Sequence, residues 1–92
     1  MLLDQGPSTV DGMVSVVVPT YNQENFVEET IESVLAQTYE KIEIIVTDDG
    51  SVDGTARIIE NYACKFPSKI IPILSGTNVG IAGNINRALK RV

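Results

Sequence analysis

Two nearly uninterrupted apolar runs constrain the fold of this sequence more than any other feature. The first spans residues 13–18 and is rich in valine, and the second spans residues 42–47 and contains Ile44-Ile45-Val46. Such runs favour strands covered on both faces, as in a parallel sheet, over strands with one face in solvent. Each run leads into a polar loop and then into apolar residues at helical spacing, so β-α-β units are predicted.

Spacing and capping residues predict the first two helices. The first helix takes Asn25 as its N-cap, with Glu28 three residues on at capping-box spacing. The second begins after Asp53, whose carboxylate is placed to accept from the first amides of the helix. The apolar residues predicted to face inward are Val27, Ile31, Val34 and Leu35 in the first helix and Ile58, Ile59, Tyr62 and Phe66 in the second.

A third strand and a third helix complete the pattern. The strand covers residues 69–74 and belongs at a sheet edge, because Pro72 cannot donate a ladder hydrogen bond. The helix follows a glycine-containing loop, and its predicted apolar face consists of Ile81, Ile85, Ala88, Leu89 and Val92. The predicted fold is therefore α/β, a Rossmann-like three-layer parallel sheet with the order β-α-β-α-β-α.

The start of the chain and the first strand indicate whether the predicted sheet is a whole domain. Residues 1–12 are rich in Gly, Pro, Ser, Thr and Asp, which predicts a flexible lead-in before a folded unit over residues 13–92. The first strand would then keep one edge open, and an open apolar edge is prone to pair with another chain. We therefore expect a half-built sheet, a fragment of a larger domain, for which self-association through this edge is a candidate partnership.

Composition excludes several classes of function. The formal net charge is −5, from 7 basic and 12 acidic residues, which leaves no basic stripe for nucleic acid. The sequence contains no histidine, so imidazole catalysis and histidine-ligated metals are excluded from it. Cys64 is the only cysteine, and no run approaches the ~18 apolar residues of a membrane span. A cytoplasmic location is expected, with membrane association of a longer protein left open.

The most informative polar segment directly follows the second apolar run. Asp48 and Asp49 stand where that strand ends, and Gly50 and Gly54 allow the backbone to turn sharply or to approach a ligand. In an open α/β sheet, ligands bind just beyond the carboxyl ends of the strands. Taken alone, the two carboxylates are as consistent with a solvated turn as with a binding site. Asp53 is better explained as a helix cap than as a ligand contact.

Four sequence blocks, in order, carry a resemblance to a known family. They are Val16-Val17-Val18-Pro19-Thr20-Tyr21-Asn22, residues 31–39, residues 46–55, and Asn78-Val79-Gly80-Ile81-Ala82-Gly83-Asn84. Together they resemble the opening of a family 2 inverting glycosyltransferase of the GT-A fold, and the match covers nearly all of the chain after the lead-in. The resemblance implies that residues 13–92 are a truncated nucleotide-sugar-binding subdomain, most commonly for a UDP-sugar donor.

The resemblance also implies roles for individual residues. Pro19 and Tyr21 would border the base, and Asp49 would accept a hydrogen bond from the uracil imide. Asp48 would support the loop or the ribose side of the nucleotide. Asn78 and Gly80 would shape the loop near the nucleotide, and Asn84 is a weaker candidate facing the donor. We expect Asp49 to carry function and Asp48 to be mainly structural, while Tyr21 and Asn78 also have packing and turn-forming explanations.

Departures from the family pattern limit the predicted activity. The family binds Mg²⁺ or Mn²⁺ through an Asp-x-Asp motif, but no two of the aspartates here, at positions 4, 11, 48, 49 and 53, stand one residue apart. The family's general base also lies beyond Val92, and Gly83 replaces its usual arginine before the asparagine of helix three. The divalent metal and the acceptor, a sugar or a lipid-linked sugar, are therefore expected only of a full-length parent. The 92-residue chain is expected to be catalytically silent.

Other functional classes fit the sequence less well. A dinucleotide-binding Rossmann unit needs Gly-x-Gly-x-x-Gly after its first strand, where this sequence has Pro19-Thr20-Tyr21-Asn22-Gln23-Glu24. A phospho-acceptor receiver domain places its acid pair after the first strand and needs a late lysine near the acids, whereas Lys90 is predicted on a helix. A non-catalytic half-domain that only binds nucleotide, or only self-associates, remains the alternative.

Overall fold

The computed structural model describes residues 5–7, 14–37 and 41–92. In these ranges it contains four strands and three helices, which are β1 (Gln5–Pro7), β2 (Val14–Thr20), α1 (Val27–Leu35), β3 (Ile42–Asp48), α2 (Thr55–Lys65), β4 (Ile70–Leu74) and α3 (Gly80–Leu89). The strands form one sheet in the order β1-β2-β3-β4. No helix in the described ranges has both the length and the apolar character needed to cross a membrane.

Strands β2, β3 and β4 are parallel, which confirms the predicted β-α-β-α-β-α core and the edge position of the proline-containing strand. Thr20 at the end of β2 lies beside Asp48 at the end of β3, and Asp48 lies beside Leu74 at the end of β4. The register therefore brings the carboxyl ends of all three strands to the same edge, together with the loops that follow them.

The short strand β1 was not predicted. It pairs antiparallel with the beginning of β2, Gln5 opposite Val16 and Pro7 opposite Val14. The flexibility of the lead-in over residues 1–12 stays a prediction, whereas the predicted open edge of β2 is wrong at its first three residues, which pair with β1. The glycine and the proline of β1 favoured a loop in the prediction. Proline is nevertheless tolerated on an edge strand, where one side of the backbone needs no partner. Predictions for residues 1–4, 8–13 and 38–40 fall outside the described residues.

Both faces of the central strands are buried, as the apolar runs predicted. Alternate residues point to opposite faces of a strand. Val16, Val18, Ile44 and Val46 pack on the face that α1 and α2 cover, whereas Val17 and Ile45 pack against Ala88 of α3 on the other face. The inward residues predicted for α1 are confirmed, because Val27, Ile31 and Val34 are buried and Leu35 packs against them.

Two details of the first two helices differ from the prediction. The residue before α1 is Phe26, which makes no side-chain cap hydrogen bond, so the predicted N-cap at Asn25 is wrong. In α2, Ile59 and Tyr62 are buried and Ile58 packs against the core, but Phe66 is exposed after the helix end. Phe66 stacks on the ring of Tyr62 from outside the core, with the centroids 6.4 Å apart.

The orientation of α3 is the largest departure from the prediction. Of its five predicted inward residues only Ala88 is fully buried, while Ile81, Leu89 and Val92 are exposed. The buried polar residue of the helix is Asn84, whose side-chain Oδ1 accepts from the hydroxyl of Thr47 at 2.7 Å and whose Nδ2 donates to the Thr47 carbonyl at 2.9 Å. This polar pair joins α3 to β3 and turns its apolar stripe outward.

Candidate functional site

A cleft of about 400 Å³ opens at the carboxyl ends of β2 and β3, beside the N-terminus of α3. Its lining residues are Pro19, Thr20, Tyr21, Gln23, Asp49, Asn78, Gly80, Ile81 and Asn84. Six of the seven binding residues that the sequence resemblance implied are in this set, the exception being Asp48. The parallel register brings these residues together from segments that lie far apart in the sequence.

Asp48 lies under the cleft and is fully engaged in holding the loops. Its Oδ1 accepts from the hydroxyls of Thr20 at 2.7 Å and Ser51 at 2.6 Å, and its Oδ2 accepts from the Ser51 amide at 2.9 Å. The side chain is 1% exposed. These contacts tie the end of β2 to the turn after β3, so Asp48 shapes the site without lining it.

Asp49 joins β3 to the beginning of α3. Its Oδ1 accepts from the Val79 amide at 2.8 Å and its Oδ2 from the Gly80 amide at 2.9 Å. A carboxylate at a helix N-terminus satisfies amides that have no partner within the helix and is favoured by the helix dipole. Asp49 therefore anchors the loop that forms one wall of the cleft, while the same carboxylate borders the cleft.

Arg87 is the cation beside this carboxylate, and the sequence analysis did not identify it. Its Nη2 lies 3.9 Å from Oδ1 of Asp49, and its Nη1 is buried with no hydrogen-bond partner. The residue lies near the end of α3 and does not line the cleft. No local motif marks it, because a helical arginine followed by Ala88 and Leu89 has the pattern of an ordinary exposed position.

The loop after β2 and the loop after β3 are joined by a set of side-chain hydrogen bonds. The contacts run from Asn22 N to Ser51 Oγ (2.8 Å), Val52 N to Asn22 Oδ1 (2.9 Å), Gln23 N to Thr55 Oγ1 (2.8 Å), Glu24 N to Asp53 Oδ2 (3.3 Å) and Gly54 N to Glu24 Oε2 (3.3 Å). Asn22 adopts a left-handed backbone with φ of 49°, which asparagine tolerates better than most residues. Several motif residues thus serve to join the two loops.

Asp53 also binds the beginning of α2, as predicted. Its Oδ1 accepts from the amide of Thr55 at 2.9 Å and from the Thr55 hydroxyl. The hydroxyl bond is the largest cause and lowers the pKa of Asp53 below its ordinary value; burial opposes it, and the backbone amides of Thr55 and Glu24 lower the pKa further. The negative form of Asp53 is therefore the one that holds this loop.

The remaining cleft residues differ in how tightly they are held. Tyr21 lines the cleft and is 47% exposed, so its side chain is accessible to a ligand. Asn78 is exposed, and its Oδ1 accepts from the Gly80 amide at 3.2 Å. Gly80 has φ of +86°, a conformation that other residues rarely adopt. The buried amide of Asn84 is already bonded to Thr47, so its side chain has little capacity left for a ligand.

The acids at this edge do not form a cation site. Within the described ranges, no three His, Cys, Asp or Glu side chains come together in a way that could hold a metal ion. The residues described here do not fit the divalent metal that the sequence resemblance implied for a longer protein.

A solved structure shares this architecture. The mannosyltransferase PcManGT from Pyrobaculum calidifontis, determined in complex with GDP-Man and Mn²⁺, superposes with a TM-score of 0.77 at 31% sequence identity. The superposition covers 85% of this chain and 24% of that protein.

Curated relatives agree with the structural match. EpsE of Bacillus subtilis, named as a putative glycosyltransferase, is 42% identical over 77 residues, which is 84% of this chain and 28% of EpsE. TuaG of the same organism, named as a putative glycosyltransferase of teichuronic acid biosynthesis, is 39% identical over 79 residues, 86% of this chain and 31% of TuaG. The chain thus spans less than a third of the length of these relatives. The family model described as glycosyl transferase family 2 matches residues 15–92, and the chain belongs to that family.

Proposed function

We propose that this chain is the nucleotide-binding part of a transferase that moves a sugar from a nucleoside-diphosphate sugar to an acceptor hydroxyl, as in polysaccharide or cell-surface glycan synthesis. The observation that carries the proposal is the cleft at the carboxyl ends of β2 and β3, which combines an exposed tyrosine ring with a buried carboxylate. This edge of a parallel sheet is where α/β proteins bind ligands. Family membership supports the reaction class.

The base is the part of the donor that this cleft is suited to recognise. Tyr21 offers a ring face for stacking, and Pro19 lies near it along the cleft wall. Asp49 accepts one amide at each oxygen, whereas an ionised carboxylate has about four acceptor positions in all, so it can accept a further N–H from a base. The uracil imide N–H is the matching donor, which favours a UDP-sugar.

A guanine nucleotide is the second candidate, favoured by one observation. The structural relative was solved with GDP-Man, and guanine also presents N–H groups that a carboxylate can accept. Direct competition between UDP and GDP for the same cleft decides between them.

Transfer itself is proposed to need more chain than these residues supply. The structural relative was solved with Mn²⁺ as well as the nucleotide sugar, and a divalent ion neutralises the diphosphate as it leaves. The described residues hold no set of ligands for such an ion. We therefore expect this chain alone to bind nucleotide without Mg²⁺ and to leave the donor uncleaved, while the metal and the sugar or lipid-linked acceptor belong to a longer protein.

The test is titration of the ¹⁵N-labelled chain with UDP and with GDP, with and without Mg²⁺, followed by amide NMR. We expect saturable, magnesium-independent shifts at Tyr21, Asp49 and Asn78. Tyr21→Ala should weaken binding by about fivefold or more, because stacking of a base on an aromatic ring is worth about 1–3 kcal/mol. Phe26→Ala is the matched control, since Phe26 is an exposed aromatic residue of the same loop that does not line the cleft.

Asp49→Ala is the second variant and should abolish binding. Absence of saturable shifts with either nucleotide on a folded wild-type chain would refute nucleotide binding and favour the non-catalytic, self-associating half-domain instead. Tighter binding of GDP than of UDP would assign the site to the guanine donor.

A further inference from the structure

We propose that Arg87 is a positioning residue of the nucleotide site, which acts by holding the Asp49 carboxylate in place. The proposal rests on the function proposed above and extends it to a residue outside the cleft. Arg87 and Asp49 form the one ion pair within the described ranges, with 3.9 Å between Nη2 and Oδ1. Their separation in the sequence and the absence of a motif hid the pair from sequence analysis.

Asp49 needs such a partner because of where it lies. Its side chain is 4% exposed, and a buried carboxylate is costly unless it is paired and hydrogen-bonded. Two backbone amides supply the hydrogen bonds, from Val79 and Gly80. Arg87 supplies the opposite charge. Because the two amides belong to the cleft wall, a shift of the carboxylate moves both the group that faces a base and the wall beside it.

The guanidinium has no competing anchor among the described residues. Nη1 is buried without any acceptor, and Nη2 approaches Asp49 at a distance longer than a direct hydrogen bond. The side chain is 27% exposed and Arg87 is absent from the cleft lining. An arginine that bound the ligand directly would present its nitrogen atoms to the cleft, so the geometry points to action through Asp49.

This role makes a specific prediction for ligands with and without phosphate. If Arg87 positions Asp49, its loss weakens recognition of the base, and uridine and UDP lose affinity by the same factor. If Arg87 contacted the diphosphate, UDP would lose affinity and uridine would not.

The experiment compares Arg87→Met and Arg87→Lys with Arg91→Met, at an exposed arginine just beyond the end of the same helix. Dissociation constants for uridine and UDP are measured by amide shift titration, with GDP and guanosine in their place if those bind the wild type. Arg87→Met should weaken both ligands about tenfold, Arg87→Lys should restore part of the loss, and Arg91→Met should stay within about twofold of wild type. In an Asp49→Asn background, Arg87→Met should cause little further shift of the Val79 and Gly80 amide resonances, which can be measured without ligand.

A readout without ligand separates the Arg87–Asp49 link from nucleotide binding itself. The amide resonances of Val79 and Gly80 should move in Arg87→Met, while those of β2 and β3 remain in place. A variant that is less stable but binds both ligands with unchanged affinity would reduce Arg87 to a structural role, and a loss confined to UDP would make it a phosphate contact. If the wild type binds neither ligand, nucleotide binding fails, and unmoved Val79 and Gly80 amides would then overturn the Arg87–Asp49 link as well.

Discussion

At the scale of single residues, Gly50 combines a left-handed backbone with close backbone neighbours. Its φ is +75°, and a Cβ built there would lie 3.0 Å from the carbonyl carbon of Thr77 and 3.1 Å from the amide nitrogen of Asn78. Both neighbours are backbone atoms, which cannot move aside without shifting the whole loop. Gly50 thus allows the turn after β3 to pack directly against the loop that leads into α3.

Gly50→Ala should therefore lower the free energy of unfolding by about 2 kcal/mol, because a left-handed conformation costs a residue with a Cβ ~1–2 kcal/mol before any clash is counted. Gly76→Ala is the matched control in the same contact region. Gly76 has no positive φ, and a Cβ added to it would meet no atom within 4 Å, so its substitution should have little effect. Urea denaturation measures both, and equal stability of the two variants would contradict the packing described here.

Some properties of the individual site residues could be predicted from the sequence, and others could not. Six of the seven motif residues line one cleft, which is where the shared edge of parallel strands would bring them. Their contacts were not predictable. A contact of Asp49 with a base stays a prediction, whereas the structure shows that Asp49 accepts from the amides of Val79 and Gly80. Arg87 escaped notice because only the tertiary fold brings α3 against the end of β3.

At the scale of elements, α1 and α2 are joined by a hydrogen bond whose strength depends on pH. The Tyr62 hydroxyl donates to Oε2 of Glu32 at 2.6 Å. Burial raises the pKa of Tyr62 to about 12 from an ordinary 10.0, with further contributions from the hydrogen bond to Glu32 and the charges of Glu28 and Glu32. The folded chain therefore holds this proton more tightly than the unfolded chain does.

The stability that this difference provides is complete below pH 10 and declines as the pH rises from 10 towards 12. We expect the urea midpoint of the wild type to fall across this interval. Tyr62→Phe removes the titrating group and should show a smaller fall, whereas Tyr21→Phe, at an exposed tyrosine, should follow the wild type. Parallel pH profiles for Tyr62→Phe and wild type would contradict the assignment.

The elements themselves were predictable where apolar periodicity was strong. The three parallel strands and three helices follow from uninterrupted or helically spaced apolar residues. The rotation of α3 was not predictable, because counting apolar positions gives no weight to the Asn84–Thr47 pair that fixes it. Strand β1 was missed because three residues are too short for any periodic pattern.

At the scale of the whole molecule, the sheet has a partly covered edge. β1 pairs with Val14, Ser15 and Val16, and residues 17–20 of β2 have no strand on that side among the residues that the structure describes. Unpaired backbone groups on an edge strand can pair with another chain. A second candidate surface is the outward stripe of α3 and the residues after it, which exposes Ile81, Leu89 and Val92.

Removal of residues 1–7 should strengthen self-association, because it exposes the full length of the β2 edge. Each backbone hydrogen bond contributes about 1 kcal/mol, so the gain of a few in a paired edge should tighten the association by roughly tenfold or more. Sedimentation velocity over a range of concentrations measures the effect, and removal of residues 1–3, which leaves β1 in place, is the control.

The double substitution Ile81→Ser with Leu89→Gln tests the other surface. If it abolishes association while removal of residues 1–7 changes nothing, α3 is the contact surface. If removal of residues 1–7 promotes association that the double substitution leaves intact, the sheet edge is the contact surface, and β1 acts as a short cover that limits pairing. Limiting this pairing is expected to protect nucleotide binding. Pro19 and Thr20 at the end of β2 line the cleft, so a strand from another chain paired along β2 would reach the proposed nucleotide site.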